Sequence, residues 1–467
     1  MEITFKQGRD IYESHPGLSL VYKITRGLGL NKRNVFLEES SRPGYIPYGT
    51  IIQAEIFKQC HALTNYADID KMNGDPLFSE LLGRTISPET LRQKLDALGK
   101  VDGILEKVDD LNFKMLQQCS FTTEEYNGKK FIPLDLDVTP FLNPGVHKMG
   151  VSRTYKGEDG FSPMMSYLGG YAVCFQLREG TQHSENGTPE YLQDYLDRIK
   201  GINVDLESVL VRADSAHDDE KFLNTCLSNH TNFIVKVNPR SEDYTDVIRF
   251  VKTKRQPDIL KNGNKKYYYV GLKPPRAGVD RNSLYRVYEI EEEALTDNES
   301  LLKFCELSED DPDFGRESWI KYHVESYWTN LEIGEVNKIG FDEIKIAKMC
   351  IESYHNHATS EQYHSEVKTD MNMELLPSKY FSTNSLILRL SAISYNILRK
   401  ISYLSVELDN NFQHHKNHKT LRIRLSTVIN EFCRIPCRIV VHARRMIVKF
   451  SKTYRFYSTY IKLLSIL

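Results

Sequence analysis

The sequence predicts an α/β protein, a mixed sheet with helices on its faces, interrupted by a β-rich insertion and flanked by helical ends. Three observations carry that reading. Apolar strand-like runs alternate with amphipathic helices between residues 131 and 239. Tyrosine-rich strand-like runs fill residues 240–335. Helical periodicity returns from Asp342 onward.

Residues 46–100 read as helical. In IIQAEIFKQCHAL apolar residues recur at helix spacing, and SPETLRQKLDAL opens with Ser87 as an N-cap, Pro88 in the first turn and Leu91, Leu95 and Leu98 on one stripe. FIPLDLDVT (131–139) is a buried strand ending on carboxylates, and MMSYLGGYAVCFQLREG (164–180) is β-structure with a glycine break. GTPEYLQDYLDRIKGI is an amphipathic helix. ESVLVRADSA is a continuous apolar strand, which places it centrally, and a helix then leads to the strand TNFIVKVNP. KKYYYVGL, YRVYEIEE and IKYHVESYWTNL supply the inserted strands, and the basic segments around 421–455 read as helix-like. The boundaries drawn are 1–125 (helical), 126–239 and 336–405 (two parts of one core), 240–335 (β-rich insertion) and 406–467 (basic tail).

Composition limits the function classes. Of 467 residues, 40% are hydrophobic, enough for a packed core. No long apolar run suggests a membrane span, and the charged start MEITFKQGRD lacks the apolar stretch of a signal peptide, so a cytoplasmic protein is expected. The cysteines are scattered without a CxxC pair, as in a reducing compartment. The net charge of −2 hides an asymmetry: from Phe381 onward, fifteen Lys and Arg stand against three acidic residues. Such a basic end is the footprint of a nucleic-acid surface, or simply a solvated basic face.

Three acidic residues stand where a sheet would bring them together. Asp137 and Asp214 each end a strand, and Glu361 sits on a helix. Convergent carboxylates suit two hard cations, the arrangement that activates an attacking oxygen and stabilises a leaving one in phosphodiester cleavage. Asp135, on the same strand face, competes for the first position, and Glu366 competes with Glu361. Around Glu361, Tyr354, His357, Glu361 and Lys368 are spaced by three, four and seven, which would set all four on one face of a helix.

The sequence resembles the DDE transposases of the insertion-sequence-1380 group. The carrying residues are DLDVT (135–139), YKGEDGFSPMMSYLG (155–169), LREGTQHSENGT (177–188), VRADSAH (211–217), NFIVKVNPR (232–240), YWTNL (327–331), SEQYHSEVKTDM (360–371), ELLPSKYFSTN (374–384), YNILR (395–399) and CRIPCRIVVHARR (433–445). The resemblance implies an RNase H-like core with Asp137, Asp214 and Glu361 holding two Mg²⁺ ions, with Mn²⁺ as a substitute. Related transposases have Arg where this chain has His357. Tyr354, His357 and Lys368 would grip DNA near the cut, with Arg444 and Arg445 in the basic tail, and Trp319 or Trp328 could hold a flipped base. The implied reaction is cut-and-paste transposition, in which a homodimer binds double-stranded DNA at inverted-repeat ends and joins it to target DNA. A structure-specific nuclease and a catalytically dead DNA-binding descendant are the rival readings.

Overall fold

The N-terminal segment forms helices α1 (Leu18–Gly27), α2 (Tyr48–Cys60), α3 (Pro88–Leu98) and α4 (Ile104–Leu116). The computed structural model describes residues 11–30, 36, 44–145, 147–183, 185–272, 278–280, 282–295, 319–409, 412, 414–415, 418–419, 422–443 and 445–467. At α3 the Ser87 hydroxyl accepts the Thr90 amide at 3.2 Å, and Leu91, Leu95 and Leu98 are buried, as their spacing requires.

Strand β1 (Lys129–Val138) crosses the middle of a ten-stranded sheet. On one side it pairs antiparallel with β2 (Met164–Leu168), which turns back into β3 (Tyr171–Gln176). The glycine break in the sequence is this turn: Gly169 and Gly170 have φ of +52° and +86°, left-handed values that side chains resist. On its other side β1 pairs parallel with β4 (Val209–Ala213), and β4 pairs parallel with β5 (Asn232–Lys236). Helix α5 (Thr188–Gly201) connects β3 to β4, and α6 (Glu220–Ser228) connects β4 to β5. All five residues of β4 are buried, as its unbroken apolar run predicted.

The tyrosine-rich segment does not form a sheet of its own. β6 (Lys265–Gly271), β7 (Tyr285–Leu295) and β8 (Trp319–Thr329) make an antiparallel meander, and β8 pairs with β5. Pairing with β8 covers an edge that β5 would otherwise leave open. Trp328 is buried there with its indole N–H donating to Asp218 at 2.9 Å, so it serves as a core residue in this conformation.

From Glu343 the chain is helical but not one helix. α7 (Glu343–His355) leads into a 3₁₀ turn at Asn356–Ala358, then α8 (Thr359–Ser365), then a π turn at Glu366–Asp370. Overwinding followed by underwinding breaks the 3.6-residue phase. The expectation of a single helix face therefore fails: His357 is buried, Glu361 is exposed, and Tyr354 and Lys368 are half-buried.

The long helix α9 (Phe381–Leu408) is buried along most of its length, against α2, α4 and β3. Its polar side chains are matched inside the core. Arg389 meets Asp109 at 2.6 Å, Ser394 donates to Gln59 at 2.7 Å, and Asn396 bonds both the amide and the carbonyl of Ala172. No described helix is long and apolar enough to cross a membrane.

The helix-like reading of 421–455 is corrected. Its centre is a hairpin, β9 (Cys437–His442) and β10 (Arg445–Phe450), with Ile11–Glu13 paired to β9. RMIVKF alternates exposed and half-buried positions at period two, and its β-branched residues favour a strand. The following helix α10 (Tyr457–Ile466) packs on the N-terminal segment, where the Tyr460 hydroxyl donates to the Pro16 carbonyl at 2.7 Å. A Cβ on Gly17 would lie 2.4 Å from the Cys433 Cα, so only glycine permits this approach. Part of the basic charge is paired within the fold: Arg389, Arg399, Arg422 and the exposed Arg424 meet Asp109, Glu366, Glu366 and Asp370.

Candidate active site

The parallel register of β1 and β4 pairs Leu136 with Ala213, which sets Asp137 and Asp214 side by side at the carboxyl ends of the two strands. Asp214 also caps the 3₁₀ turn Ser215–His217. Its Oδ1 accepts the Ala216 amide at 3.1 Å and the His217 Nδ1–H at 2.7 Å. On Asp137, Oδ2 lies 3.3 Å from Nδ1 of His364, which α8 brings over the strand end. Among the described residues no lysine or arginine pairs with either aspartate.

The electrostatics follow from that geometry. Burial, and then the neighbouring Asp214 carboxylate, push the Asp137 pKa up to about 6. Burial also raises Asp214, but the hydrogen bond and charge of His217, the Ala216 amide and His357 together outweigh it and hold the carboxyl below its ordinary value. A pair of adjacent carboxylates without a resident cationic side chain is a donor set for a hard divalent cation. The residues fit such an ion.

Asp135 has a different surrounding. Arg212, its register partner on β4, holds it with two hydrogen bonds of 2.7 and 3.0 Å, and His357 Nδ1 lies 2.8 Å from Oδ1. Burial raises the Asp135 pKa, but Arg212 and His357 overcome it and bring it down to about 2. With its oxygens engaged by a guanidinium and an imidazole, Asp135 lacks the open geometry that Asp137 has. Glu366, the competitor of Glu361, is buried between Arg399 and Arg422 and is a core ion pair.

The helical residues sit around the aspartates unequally. Glu361 is exposed in the first turn of α8, three residues before His364 and so toward the same helix face. Among the described residues no hydrogen bond or ion pair joins Glu361 to Asp137 or Asp214. His357, the expected phosphate contact, is turned inward to Asp135, with its ring 5.7 Å from that of Tyr354. Tyr354 packs on Tyr327, and burial and then the charge of Asp214 raise its phenol pKa. Lys368 donates to the Pro140 carbonyl at 2.8 Å, just past the end of β1, and meets Glu374 at 3.0 Å. Arg445 lies exposed on β10, while Arg444 falls outside the described residues. Trp319 stands at the start of β8, opposite Leu295 in the register.

Three residues near the pair were not singled out from the sequence. His217 and His364 touch the aspartates, and Tyr155 is exposed but close enough that, after burial, both aspartates raise its phenol. A histidine three residues after Asp214, and another three after Glu361, were the available signals. A separate group, Glu289, Glu325 and His355, brings ligand atoms within 4.8 Å of one another. Lys266 and Lys236 already neutralise its two carboxylates, which distinguishes it from the aspartate pair.

The profile of the family described as transposase DDE domain group 1 matches residues 2–271. Among solved structures, the chain is similar to a piggyBac transposase in a synaptic complex with hairpin DNA. The TM-score is 0.40 at 11% identity, covering 89% of this chain and 76% of that one. No curated protein sequence matches the chain.

Proposed function

The chain belongs to the transposase DDE domain group 1 family of metal-dependent DNA-cleaving enzymes, and on that premise we propose a cut-and-paste transposase of the insertion-sequence-1380 group with Asp137, Asp214 and Glu361 as its metal ligands. The observation that carries this reading is the uncompensated pair: Asp137 and Asp214 adjoin across parallel strands, and burial, then the Asp214 carboxylate, push the Asp137 pKa up to about 6. Two Mg²⁺ ions, or Mn²⁺ in their place, would supply charge neutralisation and the activation of the attacking oxygen. Glu361 completes the set from α8, whose His364 already reaches Asp137.

The other residues bind and orient. Lys368 stands beyond the end of β1, where a backbone phosphate would pass, and Tyr354 lines the same side. His357 acts through Asp135, keeping that carboxylate and Arg212 in place beside the site. The strand order β3-β2-β1-β4-β5, with one antiparallel meander and two parallel neighbours, supports an RNase H-like core divided into 126–239 and 336–405 by the insertion at 240–335. The substrate proposed is double-stranded DNA at inverted-repeat ends, bound by a homodimer and joined to target DNA, with the 1–125 helices and the basic hairpin as contacts.

The test is an assay with a plasmid bearing the element's ends. The proposal expects divalent-ion-dependent nicking at the ends, followed by recovery of those ends joined to a second plasmid. Nicking without joining would make the chain a nuclease and overturn the transposition reading.

A further inference from the structure

We infer that His217 and His364 are positioning residues, each taking one oxygen of a metal-binding aspartate so that the other faces the ion. The inference rests on the reading of Asp137 and Asp214 as ligands. Both imidazoles are buried, at 1% and 5% exposure. His217 Nδ1 lies 2.7 Å from Asp214 Oδ1, and His364 Nδ1 lies 3.3 Å from Asp137 Oδ2.

Both strand ends place a buried imidazole Nδ1 against an aspartate oxygen, by a hydrogen bond at Asp214 and by an ion-pair contact at Asp137. An ionised carboxylate only accepts, so a nitrogen facing it carries the proton: His217 Nδ1 is hydrogen-bonded to Asp214, while His364 Nδ1 makes a 3.3 Å ion-pair contact with Asp137. On both rings Nε2 is buried with no hydrogen-bond partner. A bare acceptor nitrogen there is consistent with that tautomer, since a buried N–H would also want a partner. Packing fixes the rings: His217 stands 5.5 Å from Phe222, and His364 stands 5.5 Å from Tyr167. Asp214 Oδ1 is thereby saturated by His217 and the Ala216 amide. Its Oδ2, and Oδ1 of Asp137, carry no side-chain partner among the described residues. Residues that orient metal ligands in this way tune the affinity of the ion without touching it.

The experiment is a Mn²⁺ titration of the full-length protein, followed by electron paramagnetic resonance or calorimetry, with melting temperature measured in parallel. His217→Leu and His364→Leu are expected to weaken Mn²⁺ binding by roughly 10-fold or more, the usual cost of losing a group that orients a ligand. His217→Asn and His364→Asn retain an N–H near the Nδ1 position and are expected to restore most of that loss. In an Asp214→Asn background, His217→Leu should have no further effect on Mn²⁺ binding. Equal affinities for wild type and both Leu variants would overturn the inference, as would an effect of His217→Leu that persists without the Asp214 carboxylate. If Asp137→Asn and Asp214→Asn themselves leave Mn²⁺ binding unchanged, the ligand reading beneath the inference falls instead.

Discussion

Two kinds of acidic centre in this molecule are built on opposite principles. At the core hub, Glu366 is buried between Arg399 and Arg422, and Asp135 is held two-pronged by Arg212. At the carboxyl ends of the strands, Asp137 and Asp214 stand side by side with no lysine or arginine paired to either among the described residues, and the Asp137 pKa is pushed up to about 6. Asp135 and Asp137 are two residues apart on one face of one strand, so their difference comes from what the neighbouring elements place opposite. Self-neutralised carboxylates hold the fold together. The uncompensated pair leaves charge for a guest cation, at some cost to stability.

The largest expected effect sharpens that contrast. Asp137→Asn and Asp214→Asn should each reduce divalent-ion-dependent nicking to background; the melting temperature should be unchanged or raised in Asp137→Asn, where a like-charge repulsion is removed, and not raised in Asp214→Asn, whose carboxylate His217 and the Ala216 amide hold. Breaking the hub should do the reverse. Arg399→Leu leaves Glu366 with a reduced set of partners in the core and should cost about 3–5 kcal/mol of stability, read by denaturant unfolding. Asp135→Ala should likewise unfold more easily by stranding Arg212; if it were stable and inactive while Asp137→Ala stayed active, the two aspartates would have to exchange roles.

A smaller effect concerns pH. The folded pKa of Asp137 is raised, so its ionisation opposes folding and the protonated form is favoured below about 6. Protons then compete with the cation, and Mn²⁺ affinity should weaken as pH falls through about 6. Asp137→Asn should gain stability relative to wild type as pH rises from the ordinary carboxyl value of 3.8 to about 6. A flat Mn²⁺ affinity between pH 5 and 7 would break the comparison.

The smallest effect is on the basic hairpin. Lys449 and Arg445 lie exposed on β10. Replacing either by alanine should lower the slope of log DNA affinity against log salt by about 1 without changing the cleavage rate at saturating DNA.

These contrasts also mark what the sequence could and could not reveal. Asp137 and Asp214 were legible because an apolar strand ending on a carboxylate is a local pattern, and register then brings two such ends together. Arg212 stands within VRADSAH, but its grip on Asp135 is not legible there, since pairing across β1 and β4 is not written in either strand alone. The helix carrying Glu361 was read as continuous because spacing assumes 3.6 residues per turn, and the 3₁₀ and π turns on either side of α8 break that assumption. The C-terminal charge excess was real in composition, yet four of its arginines neutralise acids elsewhere in the fold. Net charge counts residues, whereas surface potential depends on where the chain folds them.

The central claim, that Asp137, Asp214 and Glu361 hold the cutting metal ions, is tested most directly by nicking of end-bearing DNA. Wild type, Asp137→Asn, Asp214→Asn and Glu361→Gln would be compared at equal DNA occupancy across a Mn²⁺ and Mg²⁺ series. Ion-dependent nicking is expected from wild type and none above background from any of the three variants, with DNA binding retained. Ion-dependent nicking by Asp214→Asn at the wild-type rate would contradict it.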